Sequence, residues 1–78
     1  MSNIDKYASV FKTSFEITDE QLEGLEYQGI KEWDSVGHMQ LMAELEDTFS
    51  IELDTDDIID FSSYEKGKVI LKKYKVEI

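Results

Sequence analysis

The chain contains no cysteine, no proline and no arginine, and only four glycines and one histidine. Without cysteine there are no disulfides and no thiolate metal sites, so any thiol chemistry must come from a group added after synthesis. Without proline, no residue imposes a rigid turn or a helix kink. No apolar run approaches the ~20 residues needed to cross a bilayer, and the N-terminal stretch has no signal-peptide pattern. The expected location is cytoplasmic. What is present is 78 residues, 41% apolar and 12% aromatic, which predicts one domain over residues 1–78 with a packed core rather than a disordered acidic tail. That core must be small, because short chains bury a lower fraction of their surface on folding.

Positive charge is also scarce. Eight lysines face eighteen Asp and Glu, giving a net charge of −10 at pH 7. From Glu32 to Glu65 there are eleven acidic residues and no lysine, whereas the stretch from Lys66 to Ile78 holds five lysines and only Glu77. Such a block opposes binding to nucleic acid and anionic lipid, and it steers basic protein surfaces toward itself. Charge alone equally describes a solvated face that serves solubility. A calcium loop built on Asp54, Asp56 and Asp60 is excluded, because its fifth and sixth positions would be Ile58 and Ile59 where the loop needs an oxygen ligand and a glycine.

The apolar residues recur at helical spacing. Ile4, Tyr7, Ala8, Phe11 and Phe15 form the buried face of a first helix, capped by Ser2 or Asn3 with Asp5 in its first turn. A long connection follows, from about Glu16 to Trp33. Within it Thr18 and Gln21 read as a capping box, and Ile17 and Leu22 as a hydrophobic staple. Tyr27, Ile30 and Trp33 read as anchors pinning this connection to the core. The next helix should start at Asp34 or Ser35 and run to about Ser50. Leu41, Met42, Leu45 and Phe49 make its core stripe, while Val36, Met39 and Ala43 make a second stripe left free for docking. Asp54 or Thr55 should cap a short helix, with Leu53 and Ile58 as its staple. Ser62 with Glu65 should open a last helix to about Tyr74, burying Gly67, Leu71 and Tyr74 on one face. The predicted fold is all-α, a small bundle of three main helices plus one short helix.

The run Trp33-Asp34-Ser35-Val36-Gly37-His38-Met39, followed by Leu41, Glu44-Leu45-Glu46 and Phe49, resembles the phosphopantetheine-attachment region of acyl carrier proteins. The family's Asp-Ser-Leu stands here as Asp34-Ser35-Val36. The order of elements is similar over essentially the whole chain. A phosphodiester on the Ser35 hydroxyl would lie at a helix N-terminus, where free N–H groups and the helix dipole favour an anion.

The resemblance implies that a phosphopantetheinyl transferase, using Mg²⁺, moves 4′-phosphopantetheine from coenzyme A onto Ser35. The arm's thiol then holds an acyl group as a thioester, and the chain shuttles that cargo as a monomer with no catalysis or metal of its own. Asp34 would cap the helix and lie where the transferase docks. By the same resemblance, Val36, Met39, Gln40, Ala43, Glu46 and Asp47 would meet basic surfaces on partner enzymes. These include an acyl-loading ligase or synthetase and downstream acyl-processing enzymes. Val36, Gly37, His38, Gln40 and Asp54 depart from the housekeeping fatty-acid carriers, which points to a carrier for a specialised pathway. His38 is expected to be a bystander.

Three other readings can be set against the carrier. Ser35, His38 and Asp34 as a hydrolytic triad fail, because near neighbours on one helix do not form a nucleophile–base–orienter relay. An aminoacyl or peptidyl carrier differs in its cargo, although the Gly-Gly-His-Ser pattern common in peptidyl carriers is absent. An unmodified acidic interaction module is the competitor from another class.

Overall fold

Local capping chemistry starts each long helix where its donors can be satisfied. The computed structural model describes residues 2–78. Helix α1 (Asn3–Phe15) begins at Ser2, whose hydroxyl accepts from the Asp5 amide at 3.3 Å. In α2 (Asp19–Leu22) the Thr18 amide donates to Gln21 Oε1 at 3.0 Å, as the capping-box spacing predicts. Helix α3 (Ser35–Phe49) is capped by Asp34, and α4 (Thr55–Asp60) follows an extended Asp54. Helix α5 (Tyr64–Lys73) begins one residue later than expected. Ser63, not Ser62, is its cap and accepts from the Lys66 amide at 2.9 Å. Ser62 lies in extended chain instead, because its carbonyl accepts from the Tyr27 amide at 2.8 Å. Among the described residues there are five helices and no strand, so the chain is all-α with one more short helix, α2, than the sequence suggested.

The three long helices end without glycine. Glu16, Ser50 and Lys75 take the left-handed conformation, with φ of 55°, 54° and 66°. In each case the next residue is apolar and its amide bonds back to a carbonyl of the helix: Ile17 to Lys12, Ile51 to Glu46, Val76 to Leu71. Left-handed backbone is unfavourable for a residue with a Cβ. The returned hydrogen bond and the burial of Ile17 and Val76, with partial burial of Ile51, offset that penalty.

One cluster of apolar side chains forms the core, with Phe11 near its centre. Its ring meets Tyr7, Tyr64 and Trp33 edge to face, at centroid separations of 5.0, 5.0 and 5.5 Å. Leu41, Met42 and Leu45 close the core from α3, whereas Phe49, at the end of that stripe, is only partly buried. Gly67 is buried on α5 as its spacing predicts. A Cβ there would run into the Tyr7 hydroxyl and the Phe61 ring, so only glycine lets the helices approach this closely.

Candidate functional site

The connection between α2 and α3 brings Ser35 to the surface, and hydrogen bonds at both ends hold it. Tyr27 and Tyr64 amides donate to the Ser62 and Leu25 carbonyls, at 2.8 and 2.9 Å, which stitches the connection to the segment between α4 and α5. Further along, the Gln28 amide donates to the Trp33 carbonyl at 2.9 Å, closing a tight loop. Trp33 is fully buried at its end, as expected of an anchor. Ile30 is partly buried, while Tyr27 is about a third exposed and packs edge-on against Trp33.

Asp34 caps α3 directly beyond Trp33, its Oδ1 accepting from the Gly37 amide at 2.8 Å. Gly37 is buried in the first turn, and a Cβ there would collide with the Glu32 carbonyl oxygen. The connection therefore passes directly over the start of α3. Ser35, its first residue, remains exposed.

Beside Ser35 lies a mostly apolar cavity of about 340 Å³ between α3 and α4. Met39, Ile58, Ile59 and Phe61 supply its walls, with Tyr27 and His38 as aromatic neighbours. His38 is tied into the fold on both sides. Trp33 Nε1–H donates to His38 Nδ1 at 2.9 Å, and His38 Nε2 lies 2.8 Å from the Ile58 carbonyl. An indole N–H only donates, so Nδ1 is the acceptor and Nε2 carries the proton given to Ile58. The imidazole also lies nearly parallel to the Trp33 ring, with 16° between the planes. The sequence hides this role because Ile58 is twenty residues away.

The docking stripe predicted on α3 is exposed. Val36 and Met39 are 67% and 55% accessible, and Gln40, Ala43 and Asp47 are exposed beside them. Glu46 differs. It is half-buried and its Oε2 accepts from the Leu53 amide at 2.8 Å, so this carboxylate organises the link between α3 and α4. The sequence reading missed Ile59, which is 71% exposed on α4 and lines the same cavity as Met39. The apolar surface near Ser35 thus comes from two helices.

Helix α4 is held on its other side by charge. Asp57 is buried, pairs with Lys73 and accepts from the Tyr74 hydroxyl. The hydrogen bonds from Lys73 and Tyr74 hold its carboxyl below the usual aspartate range. Tyr74 Oη also accepts from the Asp54 amide at 2.9 Å. The acidic residues considered above as a calcium loop therefore belong to a helix clasped to α5.

Among the described residues no helix is long and apolar enough to cross a membrane. Comparison of the chain with family models, with curated proteins and with solved structures gave no match in any of the three.

Proposed function

We propose that this chain is an acyl carrier in which the Ser35 hydroxyl is the attachment point of 4′-phosphopantetheine. The observation that carries the reading is the juxtaposition at the start of α3. An exposed serine lies one residue after a helix cap and borders an apolar cavity of about 340 Å³. When bound, the arm supplies the thiol that the polypeptide lacks and holds an acyl group as a thioester.

The chain's own residues do the remaining work. Asp34 and Gly37 fix the backbone of the first turn of α3, which presents Ser35 at the surface to a phosphopantetheinyl transferase. The N-terminus of the fifteen-residue helix favours the phosphodiester's negative charge. Met39, Ile58 and Ile59 offer an apolar wall to whatever the arm carries. Val36, Met39, Gln40, Ala43 and Asp47 form the docking surface for basic loading and processing enzymes, extended by Ile59 from α4. Glu46 contributes charge there while also bonding Leu53. An aminoacyl or peptidyl cargo uses the same chemistry on the same serine.

The test is incubation with coenzyme A, Mg²⁺ and a promiscuous phosphopantetheinyl transferase, read by intact mass. One arm is gained by the wild type and none by a folded Ser35→Ala. A wild type that never gains mass returns the chain to an unmodified acidic interaction module.

A further inference from the structure

We propose that His38 is a latch that sets the position of α4, and with it the width of the cavity beside Ser35. The meaning of that width for an arm-borne acyl group rests on the carrier reading; the latch itself does not. The last carbonyls of any helix lack intrahelical partners, and α4 ends at Asp60, which leaves the Ile58 carbonyl among them. His38 Nε2–H satisfies it from α3, while Trp33 Nε1–H fixes the opposite edge of the same ring. One imidazole therefore ties three segments together: the end of the α2–α3 connection, the first turns of α3 and the end of α4.

The opposite side of α4 has its own attachment. Asp57 is held by Lys73 and Tyr74, and the Asp54 amide by Tyr74 Oη, all toward α5. If His38 lets go, those bonds remain and α4 pivots about them. The residues that then move away from α3 are Ile58 and Ile59, which line the cavity against Met39. Widening the cavity thus requires the His38 hydrogen bond to break together with a shift of Ile58, which packs against the edge of the core. His38 is a positioning residue for whatever the cavity shelters.

The test uses the unmodified protein, so its outcome is independent of arm loading. The ¹⁵N spectrum of His38 should show a protonated Nε2 and a bare Nδ1 coupled to the Trp33 indole proton. The opposite tautomer, or two averaged nitrogens, overturns the proposal without any mutant. In His38→Phe, the α4 amides should exchange with solvent roughly three- to tenfold faster, the range set by the usual net contribution of a hydrogen bond. Amides of α1 and α5 should keep their rates. His38→Gln, whose amide carries one acceptor and one donor, should restore most of the protection.

Equal acceleration at every helix, or unchanged exchange at α4, would each overturn the latch.

Discussion

The Tyr7 hydroxyl lies against the α-carbon of Gly67 and donates to the Tyr64 carbonyl at 2.7 Å, across fifty-seven residues of sequence. This contact joins α1 to α5. Replacing Gly67 by alanine would raise helix propensity by roughly 1 kcal/mol. Here the added Cβ meets both Tyr7 and Phe61, so overpacking should outweigh that gain by about 1–3 kcal/mol. For a domain of this size the melting temperature should fall by roughly 4–8 °C per kcal/mol. Thermal denaturation checks it, and a variant melting at or above wild type would remove the close approach.

Tyr7 also makes stability depend on alkaline pH. Burial, followed by the nearby charges of Tyr64 and Glu65, pushes its phenol well above the ordinary tyrosine value. The folded state therefore keeps a proton that the unfolded chain gives up. Its contribution is present in full below about pH 10, the unfolded value, and is lost as pH rises from there toward the folded value. Urea melts between pH 7 and 11.5 should show stability falling above pH 10, with a slope of up to about 1.4 kcal/mol per unit from this group. Tyr7→Phe should flatten that fall, leaving the part due to Tyr64, Tyr74 and Lys73, whose folded-state values are raised as well. An unchanged slope would mean that Tyr7 ionises without unfolding.

Gly37 is where the connection and α3 meet. Gly37→Ala forces the Glu32 carbonyl away from the first turn, which loosens the Asp34 cap and the presentation of Ser35. The variant should remain helical yet accept the phosphopantetheine arm at least several-fold more slowly, at a stability cost of about 1–3 kcal/mol. Loading rates by intact mass, with circular dichroism as the folding control, separate the two effects. A rate equal to wild type would leave Gly37 with a packing role only.

Docking should divide into charge and apolar components. Asp47 is exposed, so Asp47→Lys should slow association with the cognate loading enzyme and flatten its salt dependence. Met39→Ala should instead speed dissociation and leave the salt dependence alone. Glu46 needs a different substitution. Glu46→Lys removes the acceptor of the Leu53 amide and disturbs the chain between α3 and α4, whereas Glu46→Gln retains an acceptor and deletes only charge. Stopped-flow binding across ionic strengths distinguishes these. Unchanged association in Asp47→Lys and Glu46→Gln together would reduce the acidic block to a solvated surface.

Much of this architecture follows from interactions within a few residues of one another. The Tyr7, Phe11, Phe15 spacing, the Ser2 and Asp34 caps and the Thr18–Gln21 pair each lie within a turn or two, so the sequence alone located the starts of α1 and α3, the faces they bury and the capping box at Thr18, though not the short helix α2 that follows it. It also determined that Ser35 opens a helix after a long connection, and that Gly67 lies on the buried face of the last helix. Residues distant along the chain decided the rest. Ser63 displaced Ser62 as a cap because Tyr27 claimed the Ser62 carbonyl, and Glu46 became a bonding partner of Leu53 rather than a free charge. His38 acquired its role only when the fold brought the Ile58 carbonyl to 2.8 Å from its ring. Periodicity and capping are read from neighbours in sequence, but a hydrogen-bond partner is chosen by whichever group the tertiary packing leaves unsatisfied nearby.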